Sequence, residues 1–70
     1  MATRKKLKQF RVIDCDLSQD GMAKKIGCNR MTYADVENGK RGISPTFLQN
    51  FAKAFNMSIA EADVYLKLEN

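Results

Sequence analysis

The stretch that decides the fold is Q-D-G-M-A-K-K-I-G-C-N-R-M-T-Y-A-D-V-E, residues Gln19 to Glu37. Met22, Ala23 and Ile26 follow Gln19 at i+3, i+4 and i+7, the stripe of an amphipathic helix. Ser18 stands where the N-cap of that helix belongs. Gly27 ends it early, because glycine enters the left-handed conformation that turns a chain at a helix C-terminus without steric cost. Asn29 offers a second N-cap almost at once, and Tyr33 and Val36 lie three apart on one face of the helix it opens. Two helices this short, joined by so tight a turn, must cross steeply. The crossing needs a small residue, and Ala23 is placed to supply it. With Tyr33 and Val36 turned to the core, Arg30, Met31, Ala34 and Asp35 face outward.

On either side the signals stay helical. Leu7, Phe10 and either Arg11 or Ile13 form a stripe that predicts a first helix over residues 3–14. Gly39 closes the helix that Asn29 opens, and Lys40, Arg41 and Gly42 make an exposed basic loop. Ser44-Pro45 is a strong start signal, a capping hydroxyl followed by proline at the first helical position, where its missing N–H costs nothing. Phe47, Leu48, Phe51, Ala52 and Phe55 give the clearest apolar stripe, a fourth helix. Ser58 to Glu61 reads as a capping box opening a fifth, with Val64, Tyr65 and Leu66 as its apolar content. Strand signals, repeats and linkers are missing, so an all-α, five-helix bundle forming a single domain over residues 1–70 is expected.

Charge and composition narrow the function classes. Residues 1–41 hold ten of the twelve Lys/Arg and five of the eight Asp/Glu, and Arg4, Lys5, Lys6, Lys8 and Arg11 come with no acid among them. Alone, such a charge run reads equally as a solvated helix face; joined to the two-helix segment above, it reads as an electrostatic footprint for phosphates. No apolar run approaches the ~20 residues of a membrane span, and the start of the chain lacks a signal-peptide core, so no membrane partner and a cytoplasmic location are expected. Without any histidine, a general base near neutral pH and a tetrahedral metal site are both hard to assemble. Cys15 and Cys28 have no activating partner and read as reduced, partly buried thiols. The expectation is no enzyme, no metal and no cofactor. Gly39-Lys40-Arg41-Gly42 is not a phosphate loop of the nucleotidase kind, since no strand precedes it and no Ser/Thr follows the lysine.

From Leu7 to about Ile59 the chain resembles the Cro/repressor-type (XRE-like) helix-turn-helix family of phage and bacterial transcriptional regulators. The residues that carry the likeness are L-S-Q at 17–19, Ala23 and Gly27 at their spacing, E-N-G-K-R at 37–41, F-L-x-x-F-A-K-A-F at 47–55 and M-S-I at 57–59. The resemblance implies a repressor-like bundle whose second and third helices form the helix-turn-helix, and a sequence-specific regulator of transcription that binds double-stranded DNA. It implies backbone contacts for Gln19, Asn38, Lys40 and Arg41, and base contacts for Arg30, Met31 and Asp35, with Asn29 at the boundary between the two. The chemistry fits: Arg30 can grip guanine O6 and N7, Met31 can pack on a thymine methyl, and Asp35 can accept from a cytosine amino group. A homodimer on a palindromic operator is expected, with Val64, Tyr65 and Leu66 in its interface. An autorepressing antitoxin, a restriction-system controller and a protein-interaction module that has lost DNA are the alternatives.

The chain departs from the family pattern in two places. An arginine seven before the glutamine commonly pairs with the glutamate of E-N-G; here Val12 holds that position and the arginine is Arg11, eight before Gln19. Either the turn around Asp14-Cys15-Asp16 holds one extra residue or the Arg11–Glu37 pair is missing. Gly21 replaces a better helix former, at a cost of about 1 kcal/mol relative to alanine. Glu37 lies at a helix C-terminus and close to any bound phosphates, so it needs a cationic partner, and Arg11 is the nearest candidate.

Overall fold

A computed structural model describes residues 2–70. Helix α1 (Lys5–Gln9) runs on into a π-helical turn, Phe10–Asp14, and is followed by α2 (Gln19–Ile26), α3 (Arg30–Glu37), α4 (Pro45–Ala54) and α5 (Ile59–Tyr65). The polar residues named above start four of these helices. Ser18, Asn29, Ser44 and Ser58 each accept a hydrogen bond from the backbone N–H three residues on, at 2.7–3.1 Å. Glu61 completes the capping box by accepting from the Ser58 N–H. Such caps each contribute about 1 kcal/mol. In a chain of short helices, they decide where each one begins.

The helix ends are equally local. Gly27 (φ 97°) and Gly39 (φ 77°) are left-handed as expected, and Asn56 (φ 54°) does the same work after α4. Lys40 N–H donates to the Asp35 carbonyl and Gly39 N–H to that of Val36, which satisfies the last turn of α3. Asn56 repeats the pattern: Met57 N–H donates to Ala52 and Asn56 N–H to Lys53. At Gly21, an added Cβ would sit 3.3 Å from both Leu17 Cδ2 and Ser18 Oγ, so the cap that starts α2 leaves little room for a better helix former.

The first helix differs from its expected span of residues 3–14. Thr3 is taken by an antiparallel bridge to Glu69, exchanging N–H···O bonds of 2.8 and 2.7 Å, so its extended backbone cannot join α1. At the other end the helix widens. Cys15 N–H donates to Phe10 and Leu17 N–H to Arg11, and Asp16 takes φ 53°. The extra residue before Gln19 is absorbed here, in a π turn.

Leu7, Met22, Ala23, Ile26, Tyr33, Val36, Phe47, Phe51, Ala52, Ala62 and Leu66 form the core. Ala23 is fully buried in α2, which packs against α3, in keeping with the small residue that the crossing requires. Beside the core is an aromatic cluster: the Phe10 ring lies 4.9 Å from Phe55 and 4.8 Å from Tyr65, and Phe51 lies 5.2 Å from Phe55. That cluster corrects the expected use of α5. Leu66 is core and Tyr65 packs inside the cluster, so of the three residues assigned to a subunit interface only Val64 is exposed. A bundle this small has too few large apolar residues to leave Tyr65 and Leu66 outside.

Candidate nucleic-acid interface

Helix α3 separates two kinds of side chain. Tyr33, Val36 and Glu37 are buried, while Arg30 and Met31 stand in solvent, Met31 at 74% exposure. Methionine so exposed contributes little to the core, and its unbranched, polarizable chain suits an irregular apolar contact. Arg30, Met31 and Ala34 line a shallow hollow of about 390 Å³. Asp35 is half-buried one turn further along. Asn29 is exposed at the helix start, but its Oδ1 accepts from Thr32 N–H at 2.7 Å. It is therefore half committed to the cap, and its amide N–H groups are what remain for a ligand.

Under this face lies a buried polar network. Glu37 is 3% exposed and accepts from Arg11 Nε at 2.8 Å and Nη2 at 3.1 Å, and from the Tyr33 hydroxyl at 2.7 Å. A longer bond of 3.3 Å comes from Gln19 Nε2. Burial alone would push the Glu37 carboxyl up. The Arg11 and Tyr33 donors outweigh it and hold the group below the usual carboxylate range. Burial and the bond to Glu37 push the Tyr33 phenol well up, keeping it a donor. The bond to Glu37 raises Arg11 against its own desolvation, and Arg11 Nη1 also donates to the Leu17 carbonyl at 2.9 Å. The Arg11–Glu37 pair exists because the π turn rotates Arg11 into the place that Val12 holds by simple counting. Gln19 proves partly structural: one amide N–H faces Glu37, which leaves the other at the start of α2.

Asn38, Lys40 and Arg41 lie exposed just beyond α3, on a loop held by a residue that the sequence does not mark. Arg4 is buried and donates to three carbonyls, Val36 at 2.6 Å, Leu66 at 2.8 Å and Arg41 at 2.9 Å. Its own N–H donates to the Glu37 carbonyl at 2.9 Å. Desolvation lowers its pKa, but guanidinium stays charged in proteins and the C-terminal carbonyls of α3 and α5 offer it negative dipole ends. In the sequence, Arg4 looks like its neighbours Lys5 and Lys6. Only the planar, many-donor fork of arginine distinguishes it.

Cys15 and Cys28 are unpaired and half-buried, and burial pushes both thiols up, away from the reactive thiolate. None of the described helices is long and apolar enough to cross a membrane.

These features agree with comparisons to known proteins. The helix-turn-helix family model matches residues 7–61. The chain is 36% identical over 56 residues to control protein C.MunI of a Mycoplasma species, a match spanning 80% of this chain and 76% of that protein. It is 34% identical over 62 residues to an uncharacterized HTH-type transcriptional regulator of Methanocaldococcus jannaschii, spanning 89% of this chain and 92% of the relative. The tight turn at Gly27, the buried pair beneath α3 and the match over most of its length agree: the chain belongs to the XRE-like helix-turn-helix family of DNA-binding transcriptional regulators.

Proposed function

We propose that residues 1–70 act as one sequence-specific DNA-binding domain, a repressor or Cro-like regulator that reads the major groove of double-stranded DNA with α3. The observation that carries this reading is the division of α3 into a locked underside and a free N-terminal face bearing Arg30 and Met31. Arg30 serves guanine with two parallel hydrogen bonds, Met31 a thymine methyl, Asp35 a cytosine amino group, and Asn29 whichever acceptor its free amide N–H groups reach. Gln19, Asn38, Lys40 and Arg41 hold phosphates, which fixes register without reading sequence. The protein works in the cytoplasm by binding alone, without catalytic chemistry or a cofactor. One such domain buries too little surface for a tight specific complex, so two copies bind a palindrome with half-sites one helical turn apart.

The name of the Mycoplasma relative favours one second reading, a controller of a restriction system. An interaction module that had lost DNA would not need Arg30, Lys40 and Arg41 all in solvent. Selection of bound duplexes from random DNA, followed by footprinting and sedimentation, tests the proposal. A palindromic consensus bound by a dimer is expected, and recovery of unenriched sequence overturns it. For the second reading, the selected site is expected upstream of the protein's own gene and beside one for a restriction endonuclease; a site elsewhere refutes that role.

A further inference from the structure

The fold divides the N-terminal basic run into separate fates. Arg4 is buried among backbone carbonyls and Arg11 against Glu37. Lys6 lines a shallow groove on another part of the surface with Phe10, Ile13 and Tyr65. Lys5 and Lys8 instead line a groove of about 330 Å³ together with Thr3, Arg4, Gln9 and Asn38. Glu37 also borders that groove, but its charge is answered by Arg11. Lys5 Nζ donates to the Asn70 backbone oxygen. Lys8 is exposed, and among the described residues no carboxylate pairs with it.

We infer that this groove is a second phosphate site on the DNA-binding surface, with Lys8 as its principal donor and Lys5 beside it. The inference rests on the reading of α3 as the helix that enters the major groove. Eight residues of α-helix span about 12 Å at a rise of 1.5 Å, and the major groove is about 12 Å wide. With Arg30 over base edges at one end of α3, Asn38 at the other end comes to the sugar–phosphate wall. The groove opens beside Asn38 and carries an unneutralised ammonium there. A phosphodiester anion fits it in charge and reach, and Lys8 holds a phosphate next to those held by the loop at Lys40 and Arg41. Lys6, four residues before Phe10 and lining the other groove with it, does not take part.

The test compares Lys8→Ala, Lys6→Ala and Lys40→Ala with the parent, each titrated against the selected operator and a scrambled duplex between low and moderate salt. Each phosphate contact adds about 0.9 to the slope of log affinity against log salt. Lys8→Ala is therefore expected to lower the slope by about 0.9 and to weaken binding about five-fold near 0.15 M salt, equally on both duplexes. Lys6→Ala, which removes the same charge from another face, is expected to leave the slope unchanged. A scan with neutral methylphosphonates then finds one phosphate whose neutralisation hurts the parent and not Lys8→Ala. An unchanged slope for Lys8→Ala while Lys40→Ala lowers it overturns the groove and leaves the reading of α3 standing. Equal losses for Lys6→Ala and Lys8→Ala overturn it too, since diffuse charge then accounts for both. A parent with no salt-dependent binding to any duplex overturns the reading of α3 and this site together.

Discussion

Glu37→Gln replaces a buried carboxylate by an amide of the same shape and sets its nitrogen among groups that donate. Arg11, whose side chain is 11% exposed, then keeps its charge without a counterion, and one of the Arg11, Tyr33 or Gln19 donors faces another donor. Removing one member of a buried ion pair costs about 3–5 kcal/mol. A 70-residue domain has a total stability of about 4–10 kcal/mol, so the variant is expected to lose about 30% of it or more. Urea unfolding followed by circular dichroism at pH 7 measures this, on the parent, Glu37→Gln, Arg11→Met and the double variant. In the double variant no buried charge is left alone, so the second substitution is expected to cost far less than it does by itself. The coupling should be about 2 kcal/mol or more, as for residues in one polar network.

The same pair sets an acid limit. A carboxyl held below its ordinary value contributes stability that is complete above about pH 4.5, the unfolded value, and is lost as pH falls through the folded value. The parent should weaken in that acid window, and Glu37→Gln should show a smaller dependence there. A Glu37→Gln protein within about 0.5 kcal/mol of the parent, the range of ordinary surface substitutions, would refute this reasoning, as would strict additivity in the cycle.

Gly39→Ala is expected to destabilise more than Gly27→Ala: both have positive φ, but a Cβ at Gly39 would overlap the Ala2 carbonyl oxygen while the space at Gly27 is open, and thermal unfolding of the two variants ranks them. Arg30→Ala should cost about 1–3 kcal/mol on the preferred operator and far less on scrambled DNA, whereas Lys40→Ala should weaken both alike; equal losses for Arg30→Ala would make it a backbone contact and move the reading to Met31 and Asp35. Val64→Asp should weaken dimerisation in sedimentation runs without unfolding the protein, because Val64 is 43% exposed, while Leu66→Asp at 5% exposure should unfold it; a Val64→Asp dimer as tight as the parent's moves the interface away from α5.

Helix starts were legible in the sequence because capping is short-range chemistry. Ser18, Asn29, Ser44 and Ser58 each cap within three residues, and a reader of local pattern needs nothing else. The α2–α3 crossing was legible for a related reason, since Ala23, Gly27 and the pair Tyr33 and Val36 state its geometry within one segment. The misreadings all involve partners far apart in sequence. Thr3 is held by Glu69 and Arg4 by Leu66, across nearly the whole chain, and a charge run carries no mark of which member will be buried. Tyr65 and Leu66 were placed outside because apolar content on a last helix fits a core and an interface equally well. The Arg11 spacing lay between these cases. Counting exposed the extra residue, but only the backbone could choose between a wider turn and a lost ion pair.

The unexpected contacts share one consequence for α3. Its underside is fixed through Glu37, its last carbonyls through Arg4 and the Gly39 turn, and the Thr32 N–H of its first turn through the Asn29 side chain. The carbonyl end of the helix is committed, and backbone N–H groups that meet phosphate carry no sequence information, so selection of one sequence over another is expected from side chains on the exposed face. Arg30 and Met31 are exposed and make none of the side-chain hydrogen bonds or ion pairs among the described residues, so exchanging them is expected to change recognition at little structural cost. Tyr33, Val36 and Glu37, buried in the same eight-residue helix, carry the core and its buried charge and are expected to tolerate almost no exchange. Met31, 74% exposed and two residues from a fully buried Tyr33, is the clearest sign of that division. On the proposed reading of α3, a thymine methyl is what is expected to cover it, and a Met31→Ala protein should then lose affinity for the selected site without losing stability.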